Sequence, residues 1–322
     1  LRNISFSYIE DELKRVEEQF ETLLMTETPL IHKVAKYVIS SGGKRIRPIL
    51  LIVSAKICGY KGENHIPLAA VIEFIHTATL LHDDVVDNAP LRRGKSSANI
   101  VFGNEASVLV GDYLFAKSFK ILSALDNSEI TKAYSDATTL MAEGEVKELV
   151  KTADVKTTEE EYLDIIIKKT AVLFACASQA GAIIAGQDGN CIKNLYDYGL
   201  NIGIAFQLMD DALDYISDEE FGKFIGNDLK EGKLTLPIIH ALKRASQKEK
   251  DTILKIIYKK RLTVKDLKTV LGFVKNYGSI NYTISKAKEA VEKAKESLVI
   301  FSDSEYKTGL IDIANYITER KL

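Results

Sequence analysis

An all-α fold, built as one large helical bundle, is what this sequence predicts, and three observations carry the expectation. Long segments place apolar residues three and four positions apart, the period of a helix with a buried stripe. Alternating apolar and polar residues bounded by two-residue turns, the pattern of strand hairpins, are absent. The 5 prolines stand at the openings of periodic segments or outside them, where a missing N–H costs little.

In chain order, YIEDELKRVEEQFETLL (8–24) sets apolar residues on one face of a first helix, and Pro29 opens the next run. SGGKR (41–45) is a glycine joint before a third helix that contains Pro48. CGYKGEN (58–64) and Pro67 precede AAVIEFIHTATLLHDDVVD (69–87), which ends near Pro90 and RRGKSS (92–97). EYLDIIIKKTAVLFACASQAGAIIAG (161–186) and the run 199–213 are apolar nearly all round, as the central helices of a large bundle are. AGQDGN (185–190) separates those two, and FIGNDLKEGK (224–233) leads to Pro237. With no low-complexity linker and no internal repeat, one domain over 1–322 is expected.

Composition narrows the function classes. A chain of 322 residues with 46% hydrophobic and 27% charged residues can bury a large core. Its net charge of -2 provides no global field toward nucleic acid or an anionic membrane. Cys58, Cys176 and Cys191 lack metal-ligand spacing and fit reduced structural thiols. No apolar run reaches about 18 residues, so no spanning helix is expected. The first residues lack the apolar core of a signal peptide, which makes the cytoplasm the expected location.

The chemistry concentrates in two acidic clusters. Asp83, Asp84 and Asp87 follow D-D-x-x-D spacing, and Asp210, Asp211 and Asp214 repeat it. Positions four apart share a helix face, so Asp83 and Asp87 project together with Asp84 beside them. With 20 aspartates in the chain, random placement yields only about 0.08 such patterns per chain, so a repeat demands a cause. A solvated helix face explains it poorly, because both clusters sit inside apolar helices. Carboxylates this close raise one another's pKa unless a cation neutralises them, and sparse oxygen ligands with room for water and phosphate suit Mg2+.

Basic residues accompany the acids. SGGKRIRP supplies Lys44, Arg45 and Arg47 at a helix start, where backbone N–H groups favour anions and arginine clamps phosphate. Arg92 and Arg93 follow the first acidic cluster. Lys169, Thr170, Asp228, Lys233 and Thr235 lie nearer the second in sequence. His82 directly precedes the acids but is not counted as a ligand, because Mg2+ prefers oxygen.

These motifs together resemble the trans (E-type) isoprenyl diphosphate synthases, especially the bacterial long-chain, octaprenyl-like group. The resemblance runs from GGKRIRP through FIHTATLLHDDVVD, RRG, GDYLFAKSF, AEGEV, KKTAVLF and AFQLMDDALDY to GKFIGNDLKEGKLTLP and IANYITER. It implies the isoprenoid synthase fold with a central catalytic cavity. It also implies successive 1′-4 condensation of isopentenyl diphosphate onto an allylic diphosphate such as farnesyl diphosphate, for quinone side chains. The six aspartates would hold about three Mg2+ ions once substrate is bound, with Mn2+ able to substitute. Arg92, Lys169, Thr170, Gln207, Lys223 and Lys233 would surround the allylic diphosphate, with Asp228 near it. Lys44, Arg47, His76 and Arg93 would bind isopentenyl diphosphate. A homodimer packed through SVLVGDYLFAKSF (107–119) is implied, with an apolar product delivered to the membrane.

One residue departs from the family pattern. Where G-E-x-x-Q is common, this chain reads GEVKE and places Glu148 at the glutamine position. Glu148 is therefore left outside the predicted site.

Product length is implied by Ala78 and Thr79, five and four residues before the first aspartate. Small residues there leave an apolar tunnel open, and DDVVD lacks the two-residue insertion of bacterial short-chain enzymes. Both point to a product of about eight isoprene units. Thr79 also lies about one helical turn from Asp83, whereas the role of Ala78 rests on the resemblance. Phe115, Phe119, Leu140 and Met141 are candidates for the tunnel floor, with plain core packing as their alternative.

Several rivals are weighed against this reading. A shorter-chain synthase, or a catalytic subunit that needs a small partner, keeps the same motifs. A terpene cyclase lacks a second D-D-x-x-D and needs no isopentenyl site. A non-catalytic subunit loses the aspartates, and a di-metal carboxylate bundle wants Glu-x-x-His pairs, which are missing.

Overall fold

The computed structural model describes residues 6–216, 226–259 and 261–319. The chain forms α1 (Glu10–Leu23), α2 (Pro29–Ser40), α3 (Ile46–Ile57) and α4 (His65–Val86), then the strands β1 (Leu91–Arg92) and β2 (Lys95–Ser96). α5 (Ala98–Phe102), α6 (Asn104–Ala124), α7 (Ser128–Lys151) and α8 (Glu159–Ile166) follow. A π-helical turn at Ile167–Ala171 leads into α9 (Val172–Ile184) and α10 (Gly189–Leu213). The remainder comprises α11 (Asn227–Lys230), α12 (Leu236–Arg244), α13 (Gln247–Ile257), α14 (Val264–Asn276), α15 (Ser279–Glu296) and α16 (Glu305–Glu319). The all-α expectation holds.

The chain divides into two compact units. The first takes Leu1–Thr138, Leu173–Gly199 and Ile300–Leu310. Its core is α4, apolar nearly all round, which packs on α1, α3 and α6. Leu68, Ile72, Phe74, Ile75, Ala78 and Leu81 on α4 are fully buried. Each large apolar side chain buried this way stabilises the fold by about 1.5–3 kcal/mol. Tyr134 reaches into the same core and donates its hydroxyl to the Leu68 carbonyl at 2.9 Å. The three cysteines are free thiols, as expected, and Cys58 and Cys191 stand 3.6 Å apart.

The second unit takes Thr139–Val172, Leu200–Val299 and Ile311–Leu322. Tyr215, Leu229, Ile238, Val270 and Phe273 form its apolar centre, where α12 packs on α14 and α15. Local sequence sets where its helices begin. Thr158 and Glu161, Ser246 and Glu249, and Thr263 and Asp266 each form a capping box at the start of α8, α13 and α14.

Two expectations are corrected. RRGK is a two-residue hairpin turn, pairing Leu91 with Ser96 and Arg92 with Lys95. Arg93 and Gly94 carry φ of 53° and 79°, the left-handed pair that such a turn requires. Strands of two residues are too short to show an alternating pattern. The stretch Glu159–Ile184 is also long and apolar enough, by length and composition, to cross a membrane. Most of its apolar window is buried within the structure, as a core helix is.

Candidate active site

In the first unit, α4 carries the first acidic cluster to its C-terminal end, with Asp87 as the capping residue. Asp84 is buried and receives both Nε and Nη2 of Arg92 on Oδ1, at 2.7 and 2.6 Å. Its Oδ2 is buried without a hydrogen-bond partner. Burial pushes the Asp84 carboxyl above its ordinary pKa, and Arg92 opposes that shift. An orphaned carboxylate oxygen at the end of an acidic helix is a suitable donor for a hard cation.

The basic residues of this unit gather as well. The Arg93 guanidinium lies over the backbone of Gly43, so a Cβ there would meet Nη1 at 3.1 Å. The Arg47 guanidinium stands 4.3 Å from the centre of the Phe174 ring, a cation–π contact that fixes its direction. Half-buried His76 is held well below its ordinary pKa by desolvation and by Arg47, Arg93, Arg92 and Arg45. Its ring is therefore neutral at pH 7. Lys44 is exposed beside them in the chain. Arg45, in a left-handed conformation at φ 50°, is committed to structure. It bonds buried Glu73 at 2.6 Å, Glu17 at 2.8 Å and the Ile39 carbonyl at 2.9 Å.

His82 turns away from the acids. It contacts the Val108 carbonyl at 3.2 Å and Asp112 at 3.4 Å, and its ring stacks near Phe115. Ala78 is fully buried on α4, and Thr79 donates its hydroxyl to the His76 carbonyl at 2.8 Å. Phe115 and Phe119 on α6 are half-buried, and in the second unit Met141 on α7 is buried while Leu140 is half-buried.

In the second unit the site is a cavity of about 120 Å³ lined by Glu148, Lys169, Thr170, Gln207, Asp211, Asp228 and Lys233, among others. Lys169 and Thr170 are presented by the π-helical turn, a distortion that often marks functional positions. Missing side chains allow that turn to pack closely. A Cβ on Gly144 would lie 2.6 Å from the Lys169 backbone nitrogen, and one on Gly203 would lie 2.5 Å from the Ala171 Cα. Thr170 donates to Gln207 Oε1 at 3.0 Å, and Gln207 donates to Asp211 Oδ1 at 2.8 Å. Tyr162 donates its hydroxyl to the other oxygen of Asp211.

Burial dominates the electrostatics of these acids. Asp211 is pushed up to about 7 by burial, against the bonds from Tyr162 and Gln207. Asp228 is raised well above the usual range by burial and by Asp211 and Asp214. Asp214 is also raised by burial, although the backbone N–H groups of Asn227 and Asp228 each donate to it at 3.1 Å. It therefore caps the short helix α11 while remaining an acceptor.

A divalent cation fits this chemistry. The acids supply hard oxygen donors whose mutual repulsion and burial a cation would relieve. Among the described residues, no three His, Cys, Asp or Glu side chains are gathered closely enough to hold a metal by themselves. Mg2+ is a natural match, since it takes one or two carboxylates and completes its shell with water and phosphate oxygens.

Most of the predicted residues thus fall into two settings, one in each unit. Lys223 lies outside the described residues. Sequence reasoning missed Tyr162 and Glu145, and it left out Glu148, which the structure brings to the lysines. Lys169 Nζ lies 2.6 Å from Glu148 Oε2 and 2.8 Å from Glu145 Oε2, and Lys233 Nζ is 3.9 Å from the same Glu148 oxygen. For Glu148 the signal was its departure from the glutamine pattern; nothing in the sequence marked Tyr162.

The polyprenyl synthetase family pattern matches residues 28–274. The chain is 41% identical over 312 residues to the octaprenyl diphosphate synthase of Haemophilus influenzae, covering 96% of this chain and 94% of that protein. Its fold is similar to a decaprenyl diphosphate synthase from Rhodobacter capsulatus, with a TM-score of 0.94, 39% identity, and 98% and 97% of the two chains covered. It is also similar to a polyprenyl synthase from Caulobacter crescentus solved with calcium and isoprenyl diphosphate, with a TM-score of 0.93, 38% identity and the same coverage.

Proposed function

The chain belongs to the polyprenyl synthetase family, and from that premise we propose that its product is octaprenyl diphosphate, made from farnesyl diphosphate or a similar primer. It is a prenyltransferase that extends an allylic diphosphate with isopentenyl diphosphate. The observation that carries the site assignment is the second unit's cavity, where Lys169 and Lys233 stand with buried Asp211 and half-buried Asp228.

Asp83, Asp84 and Asp87, with Asp210, Asp211 and Asp214, would hold Mg2+. Bound Mg2+ supplies positive charge that stabilises a departing diphosphate. The side chains supply the rest. Lys169, Lys233 and Arg92 bind phosphate oxygens and stabilise the charge that grows as the allylic C1–O bond breaks. Gln207 and Thr170 orient Asp211 through their chain of hydrogen bonds. Lys44, Arg47, Arg93 and His76 would hold isopentenyl diphosphate, whose double bond attacks the allylic C1. Loss of a proton to the departing diphosphate then restores an alkene. Lys223 is assigned to the allylic diphosphate by resemblance alone.

We read the working unit as a cytoplasmic homodimer. Ile100, Val101 and Leu109, on α5 and α6, expose large apolar surface that a second copy would cover. The purified chain, given labelled isopentenyl diphosphate, Mg2+ and farnesyl or geranylgeranyl diphosphate, is expected to yield octaprenyl diphosphate by reverse-phase chromatography. Asp84→Asn and Asp211→Asn should each lower incorporation by about 10²–10³-fold. A chain that incorporates no isopentenyl unit refutes the reading, and shorter products refute the assigned length.

A further inference from the structure

We infer that Glu148 weakens the hold of the site on diphosphate, acting through Lys169 and Lys233 as a positioning residue that speeds release of inorganic diphosphate between additions. This inference rests on the prenyltransferase reading above and concerns the position where the family pattern has glutamine. Lys169 donates to Glu148 at 2.6 Å and to Glu145 at 2.8 Å. Lys233 donates to Glu231 at 2.9 Å and lies 3.9 Å from the Glu148 oxygen that Lys169 also contacts. Two lysines thus face three carboxylates before any phosphate arrives. Glu148, Lys169 and Lys233 are all largely shielded from solvent, with side chains 19–24% exposed, so water screens these charges only partly.

A diphosphate that takes these lysines must displace or face the Glu148 carboxylate. A glutamine of the same shape would remove one negative charge and offer an N–H donor to phosphate. The carboxylate therefore raises the free energy of every diphosphate bound there, including the leaving group after each condensation. Repeated elongation needs that leaving group to depart once per added unit, a step that sets the rate in many enzymes. Glu148 trades affinity for turnover.

The test measures binding of inorganic diphosphate with Mg2+ by titration calorimetry, with steady-state kinetics on the allylic substrate. Glu148→Gln should tighten diphosphate binding and lower KM by about ten-fold each, and lower kcat. Glu148→Asp, which retains the charge, should remain near the native values. Should Glu148→Gln fail to fold, Glu145→Gln removes the other carboxylate on Lys169 and should shift affinity in the same direction. Unchanged or weaker diphosphate binding in the folded glutamine variant overturns the inference. If the native chain incorporates no isopentenyl unit, the functional reading fails instead, so the two failures are distinct.

Discussion

Among single residues, the acids separate by what surrounds them rather than by their motif. Asp84 is bound by Arg92, Asp211 by Tyr162 and Gln207, and Asp214 by the backbone of α11. D-D-x-x-D spacing announced carboxylates on one face, but apart from Gln207, one turn before Asp211 on the same helix, the partners lie outside the helix that carries the acid. A contrasting acid is Asp266, held down to about 2 by Lys259 at 2.7 Å and by the Thr263 N–H and hydroxyl. Its folded pKa lies below the ordinary 3.8, so its stabilisation is full above about pH 4 and is lost as pH falls toward 2. Asp266→Asn should therefore lower the melting temperature at pH 7, and the difference from the native chain should disappear near pH 2. An equal difference at both values would exclude this account.

At the level of elements, the π-helical turn does most to define the second unit's cavity. It depends on glycine contacts made by α7 and α10, helices distant in sequence. Replacing Gly144 with alanine sets a methyl against backbone that cannot yield like the tip of a flexible side chain. Gly144→Ala should destabilise the protein by about 1–3 kcal/mol and displace Lys169, with lower prenyl transfer as the readout. A variant with native stability and rate would show that the turn tolerates the methyl. On α4, Ala78 is fully buried five residues before Asp83, and its place in the tunnel rests on the family resemblance. Ala78→Phe should shorten the products by one or more isoprene units, read by reverse-phase chromatography. An unchanged distribution would remove Ala78 from the tunnel.

For the whole molecule, the apolar cores lie in α4 and its neighbours in the first unit and around Tyr215, Ile238 and Phe273 in the second. Neither core is built from the acidic side chains. Chelation by EDTA should accordingly reduce prenyl transfer to background while leaving helical circular dichroism unchanged, and Mg2+ or Mn2+ should restore activity. Loss of helix on chelation would give the metal a structural role instead. Adding Mg2+ with diphosphate should raise the melting temperature, because a ligand that binds only the folded state stabilises it.

Sequence by itself determined the helical class, the two aspartate motifs, most of the basic residues around them and the family resemblance. Those are properties of spacing and local chemistry, and they survive without knowing what touches what. Tertiary structure decided that the Arg92–Arg93 segment is a hairpin, that Asp214 caps a short helix and that a π turn presents Lys169. It also brought Glu148 onto the lysines. The hairpin is local, but strands of two residues are too short for a pattern to announce them; the other outcomes depend on contacts between separate segments, where close packing and burial select among arrangements that local propensity leaves open.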